Sequence, residues 1–225
     1  MLLTPLLACG VEFSSATLKS RYDQYSRYFV DRKEVISTEY QFLINTKTEN
    51  LSDVSKRQFK NALAVYKNPN DEKTKRLFLD EFPDNFEAFF GLFNSSTPGE
   101  LSETNAVYID LLGELCDEYP QKGVGLLLNL SKDASYQEED ATGLLQDLVA
   151  KYAAKHFDLF LKAIKKMPIQ EQENVSGFLA DVENFDTYPE YATILKLLKR
   201  RSETKLYNMF LNSKKARIQW QQNDI

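Results

Sequence analysis

Hydrophobic positions recur at helical spacing along most of the chain. Leu18, Tyr22, Tyr25, Phe29, Ile36, Tyr40 and Leu43 stand three, four or seven residues apart, the apolar stripe of one long helix or of two collinear ones. A second stripe, Phe59, Leu63 and Tyr66, predicts a helix over 53–66 that Asn68-Pro69 stops. From residue 72 a phrase recurs in which a helix ends on an aromatic, a proline or alanine follows, and another helix begins. Its instances are DEFPDNFEAFFGLF (80–93), DEYPQKGVGLLLNL (117–130), AKYAAKHFDLFLKA (150–163) and DTYPEYATILKLLK (186–199). Their aromatics, Phe82, Tyr119, Tyr152 and Tyr188, lie 37, 33 and 36 residues apart, the length of a helix-hairpin unit.

The agreement extends beyond the aromatic. Counted from it, positions +4, +7, +8 and +11 are Phe86, Phe89, Phe90 and Phe93 in the first instance and Gly123, Leu126, Leu127 and Leu130 in the second. The third gives His156, Leu159, Phe160 and Ala163. These offsets share one helical face, so each second helix offers the same stripe to a common interior. Leu111, Leu112 and Leu115 before Tyr119 match Leu144, Leu145 and Leu148 before Tyr152. Proline suits such a joint, because it disfavours helix in the residue before it and is tolerated in the first turn after it. Helices of about 12 residues are marginal alone in water, so the hairpins must stack to persist. The expectation is therefore an all-α single domain of stacked helix hairpins, α-solenoid-like in the manner of HEAT or TPR arrays. Its units are 72–98, 103–132, 138–167 and 170–200, closed by a capping helix over 203–220. In the fourth unit Lys196 and Lys199 occupy the +8 and +11 positions, as a terminal, solvent-facing unit requires.

Composition agrees with a helical globular chain. Of 225 residues, 43% are hydrophobic and 27% charged, with only 8 glycines and 7 prolines. The net charge of −5 carries no global signal for nucleic acid, whose binders usually hold a basic surplus. Two cysteines, Cys9 and Cys116, are too few for a disulfide framework, and Cys116 is expected to be a buried thiol. No stretch approaches the roughly 20 apolar residues that cross a bilayer.

The first residues, MLLTPLLACG, give the chain a candidate address. Leu6-Leu7-Ala8-Cys9 followed by Gly10 resembles the lipobox of bacterial lipoproteins, which implies signal-peptide cleavage and a diacylglyceryl group on the Cys9 thiol. Only eight residues precede the cysteine and none is basic, whereas a signal peptide has a Lys/Arg start and about 7 to 15 apolar residues. Either the start of translation lies upstream or the match is coincidence. The segment FPDNFEAFFGLF is similar to segments of uncharacterised all-helical bacterial proteins, several of them lipid-anchored. This divides the chain into a partial signal peptide (1–8), a small polar tether (9–17) and a helical-repeat domain (18–225).

Candidate chemistry is sparse. His156 is the sole histidine and is expected to pack rather than react, so a multi-histidine metal site is out of reach. Acidic clusters at Asp80, Glu81, Asp84 and Glu87, at Glu114, Asp117 and Glu118, and at Glu138, Glu139 and Asp140 could pair carboxylates for hydrolysis, but clusters beside each joint are what solvated loops show. Gly123-Val124-Gly125 lacks the strand and third glycine of a phosphate loop. The run from Lys196 to Arg217 is basic, with Lys199, Arg200, Arg201, Lys205, Lys214 and Lys215 against Glu203. It fits either a solvated face or contact with anionic headgroups or an acidic partner.

These features predict a non-enzymatic, lipid-anchored envelope protein, periplasm-facing, that binds an unidentified protein or peptide and meets the membrane through Cys9. No catalytic residue, cofactor, metal or nucleic-acid partner is expected. The alternative is a cytoplasmic helical adaptor or immunity-type binding protein, and the third reading is an enzyme using acidic residues in a concave cleft.

Overall fold

The computed structural model describes residues 41, 43–46, 48–94, 99–134, 140–182 and 185–223. Among them the regular structure is helical, with ten α-helices and no strand. Short polar side chains start the first three. Ser52 opens α1 (Asp53–Lys67) by accepting from the Ser55 N–H at 3.2 Å. Asp71 opens α2 (Glu72–Glu81) through the Lys73 N–H at 2.9 Å, and Asn85 opens α3 (Phe86–Phe93) through the Ala88 N–H at 2.9 Å. Each side-chain oxygen satisfies a first-turn donor that the helix itself leaves unpaired. Proline takes the first position of α5 (Pro120–Lys132) and α9 (Pro189–Arg200), where its missing N–H costs nothing. The others are α4 (Asn105–Glu118), α6 (Asp140–Lys155), α7 (Phe157–Ile164), α8 (Ile169–Ala180) and α10 (Thr204–Asn223).

The helices form two layers. In one, α4 packs beside α6 and α6 beside α9, while in the other α5 packs beside α8 and α8 beside α10. The α4/α5, α6/α7 and α9/α10 neighbours join the layers, and α1 packs on α2, which touches α4. Between the layers lies one apolar interior. At one end Phe89 and Phe93 are fully buried and sit 5.2 Å apart by ring centroids, with Phe93 another 5.2 Å from Tyr108. At the other, Tyr191 and Phe210 are fully buried, and the Tyr191 hydroxyl donates to the Phe210 carbonyl at 2.7 Å. That bond satisfies a hydroxyl that would otherwise be stranded in the core.

Of the stripe predicted over 18–43, Leu43 alone falls inside the described residues, and it is buried. Cys9, the tether and the signal-like segment lie outside them.

Of the four expected joints the one at Tyr152 is displaced, and the one at Tyr188 starts a helix as expected but lies apart from the others. Helix α6 runs through Tyr152 to Lys155, and the chain bends at His156, whose backbone (φ −107°, ψ 42°) is close to that of Tyr119 (φ −119°, ψ 65°). Tyr119 N–H bonds to Leu115 O and His156 N–H to Tyr152 O, so Tyr152 is the counterpart of Leu115. Four of the six buried residues of α4 then map onto buried residues with an offset of 37, whereas Ile109 and Leu111 correspond to the partly buried Gln146 and Leu148. Tyr108, Leu112, Leu115 and Cys116 correspond to Leu145, Val149, Tyr152 and Ala153, and all eight are buried. Tyr188 differs more. Its hydroxyl donates to Gln146 O at 3.1 Å, ten residues before the His156 bend and so about 15 Å along α6 from it. The last bend, where α9 gives way to α10, is at Arg201 and Ser202, and Ser202 takes the left-handed conformation (φ 56°).

Candidate functional site

The bends at Phe82, Tyr119, His156 and Ser202 are joined in sequence order by charged pairs. Asp80, before the first, accepts from Lys122, after the second. Asp117, before the second, meets Lys155 Nζ at 2.6 Å and His156 Nε2 at 2.7 Å. Asp158, after the third, holds Arg201 at 2.6 Å, and Glu203 holds Lys165 at 2.7 Å. Lys75 adds a contact to Glu118 at 2.5 Å. Partners in these pairs stand 38 to 43 residues apart in sequence, about one hairpin. In the Asp80 and Asp117 pairs the acid sits on the helix that arrives at a bend and the base at the bend that follows, while Lys75–Glu118 and Lys165–Glu203 run the other way, base first. Either way each hairpin is fastened to the next. Exposed pairs of this kind contribute little singly, about 0 to 1 kcal/mol each. Their value is positional, because they fix which bend lies beside which.

The densest group surrounds Asp117. Burial pushes this carboxyl up, but hydrogen bonds from Lys155 and His156, followed by their charges, outweigh it and hold the group below its ordinary range. The His156 ring lies 4.6 Å from that of Tyr152 by centroid, and the Tyr152 hydroxyl donates to the Pro120 carbonyl. Beneath them Cys116 is fully buried, and burial, with the neighbouring Asp117 charge adding to it, pushes its thiol up to about 12. An imidazole on a carboxylate is two-thirds of a nucleophilic triad. Here the third partner is lacking in chemical terms, since a thiol held that high is not a nucleophile at neutral pH. Lys155 also occupies the second carboxylate oxygen. A shallow cleft of about 200 Å³ opens beside the group between α4 and α6, lined by Asp110, Glu114 and Asp117 on one wall and Lys151, Tyr152 and Lys155 on the other. Opposite charges facing across two helices suit fastening better than proton transfer, which needs a carboxyl raised toward neutral pH.

The acidic candidates thus meet different fates. Asp80, Asp117 and Glu118 are drawn into the bend pairs described above. Glu81 accepts from Asn61 at 3.0 Å and lies 3.8 Å from Arg57, while Asp84 and Glu87 are exposed at the start of α3. Asp140 opens α6, and Glu138 and Glu139 lie outside the described residues. No group of three or more His, Cys, Asp or Glu that could hold a metal ion occurs among the described residues. None of their helices is long and apolar enough to cross a membrane.

Along the basic run, Arg217 pairs with Asp181 at 3.0 Å and lies over the Trp220 ring at 4.4 Å, and Lys214 lies 4.5 Å from the Phe185 ring centre. Two arrangements were not legible from the sequence. The Asp117–His156 contact joins residues 39 apart, and its one available signal was acid and base flanking successive bends. The convergence of Lys162, Lys165 and Lys166 on the α9/α10 bend had no sequence signal, because α7 reaches it only through tertiary packing. Comparison with protein-family models, with curated proteins and with solved structures finds no match for the chain.

Proposed function

We propose that the chain is a non-enzymatic scaffold of the cell envelope, lipid-tethered at Cys9 and periplasm-facing, whose helix hairpins stack in an α-solenoid-like array and bind a protein or peptide partner. The observation that carries the scaffold reading is the row of bends fastened one to the next by charge pairs about one hairpin apart. Arrays of this kind present an extended surface assembled from successive units. The sequence Leu6-Leu7-Ala8-Cys9 carries the tether. A binding role is favoured over catalysis because Asp80, Asp117 and Glu118 are each engaged by a cation, and Asp117 is held ionised rather than poised to move a proton.

Metabolic labelling with a fatty-acid analogue tests the tether, comparing wild type with Cys9→Ala expressed together with any upstream codons. Label on the wild type alone, in the membrane fraction and with a mature chain starting at Cys9, supports the reading. An unlabelled chain that retains Met1 and stays in the soluble fraction overturns it in favour of the cytoplasmic adaptor. Crosslinking in the intact envelope then identifies the partner.

A further inference from the structure

The row of bends ends in a surface of the opposite charge to the chain. Lys162 in α7, with Lys165 and Lys166 just beyond its end, is exposed, and the contacts Lys165–Glu203 and Asp158–Arg201 place this segment against the α9/α10 bend. On the other side α9 exposes Lys196, Lys199 and Arg200, the bend itself Arg201, and α10 opens with exposed Lys205. Segments 158–166 and 196–205, which meet through those two contacts, therefore hold eight cations and two carboxylates, in a chain whose net charge is −5. Arg201 and Lys165 use those carboxylates, which leaves the other six cations facing water.

Helix capping accounts for only part of this. Lys162, Lys199 and Arg200 stand in the last turns of α7 and α9, where the helix dipole favours a cation. Lys205 stands in the first turn of α10, which holds no acid and where the dipole disfavours a cation. Lys196 lies a full turn before the end of α9. A breach of local preference such as Lys205 marks a surface shaped by something other than stability, and Lys196 is not explained by the dipole.

We propose that this patch docks on an anionic lipid bilayer, lying against acidic headgroups such as phosphatidylglycerol. Six of the eight cations are lysines, flexible point charges suited to a diffuse field of phosphates rather than to bidentate recognition. Protein interfaces are depleted in lysine and built around aromatic anchors, and the one aromatic in segments 158–166 and 196–205, Phe160, is buried in the core. Nucleic-acid grooves interleave cations with stacking rings, and these two segments expose none. The choice of a bilayer over other polyanions rests on the tether reading. The two combine physically, because a lipid chain together with a polybasic patch holds where either alone is weak.

The test uses the full chain carrying Cys9→Ser, so acylation plays no part. Sedimentation with vesicles of phosphatidylcholine and about one-third phosphatidylglycerol, at roughly 0.1 M salt, is compared with pure phosphatidylcholine, single-stranded RNA and polyglutamate. Binding to the anionic vesicles alone, released near 0.5 M salt, is expected. Each cation contributes about fivefold to such partitioning, so Lys166→Gln/Lys196→Gln/Lys199→Gln lowers it by on the order of 100-fold. The same change at the exposed Lys60, Lys67 and Lys73 leaves it within a few-fold. Absence of binding to anionic vesicles, equal loss in both triple variants, or tighter binding to RNA overturns the patch. Acyl labelling of Cys9 in cells is scored separately, so either proposal can fail without the other.

Discussion

Two glycines in α5, one turn-side apart, predict opposite responses to the same substitution. Gly123 is buried where α5 crosses α4, and a β-carbon built there lies 2.7 Å from Cys116 Cβ, 2.9 Å from Cys116 Cα and 3.0 Å from its carbonyl oxygen. These are atoms at or next to the backbone, so relief requires the two helices to part by most of an ångström. Forcing extra volume into a close-packed contact costs about 1 to 3 kcal/mol. Against this stands the gain from replacing glycine by alanine in a helix, up to about 1 kcal/mol and less near the first turn. The balance for Gly123→Ala is a loss of about 1 to 2 kcal/mol. Gly125 is exposed, and nothing lies within 4 Å of its built β-carbon, so Gly125→Ala keeps the full gain of about 0.5 to 1 kcal/mol. Urea unfolding followed by circular dichroism measures both, with thermal midpoints moving about 2 to 4 °C per kcal/mol for a chain of this size. Gly123→Ala as stable as wild type, or Gly125→Ala less stable, refutes the α4/α5 crossing described here.

Other expectations follow from single contacts. Asp117→Asn removes a carboxylate whose depressed pKa stabilises the fold above the ordinary carboxyl range, a contribution lost as pH falls through the depressed value. The variant is therefore less stable than wild type at pH 7, and thermal melts converge below about pH 4. In a Cys9→Ser background Cys116 resists a thiol reagent in native buffer and reacts only as fast as the chain opens, which ordinary labelling kinetics detect. Rapid native labelling contradicts its burial. Arg217→Ala leaves the Asp181 carboxylate, 17% exposed and already raised by burial, without the guanidinium that offsets the burial. The expected loss, discounted for partial exposure, is about 1 to 2 kcal/mol in chemical denaturation, shrinking as acid protonates Asp181.

How far the sequence could be read follows from the symmetry of a helix. The Phe86, Phe89, Phe90 and Phe93 stripe and the Gly123, Leu126, Leu127 and Leu130 stripe are legible because their offsets fall on one face, and all but the half-buried Phe90 are buried, whereas of His156, Leu159, Phe160 and Ala163 only Phe160 is. The repeat spacing puts the third bend one turn early, at Tyr152 instead of His156. A period of 3.6 residues looks nearly the same after a slip of four, and a tyrosine there resembled the joint better than a histidine did. Burial breaks the tie, through Val149 and Ala153 opposite Leu112 and Cys116. Tyr188-Pro189 reproduces Tyr119-Pro120 in sequence and in backbone, with φ −124° and ψ 69°. Both are genuine helix starts, but a helix start does not say which layer the next helix joins. That depends on α7 and α8, two short helices separated at Pro168, where one longer helix would have been simpler. Asp80, Asp117 and Glu118 resemble solvated loop residues in the sequence because their cations lie 38 to 43 residues away, beyond any local pattern.

The order of the bends is the claim on which the scaffold depends, and zero-length carbodiimide crosslinking tests it directly by joining only amines and carboxylates already in contact. Peptide mapping by mass spectrometry is expected to recover Lys75–Glu118, Lys122–Asp80, Lys155–Asp117 and Lys165–Glu203 within the monomer. Links that instead tie the residues around one bend to non-consecutive bends, in place of these four, contradict the arrangement.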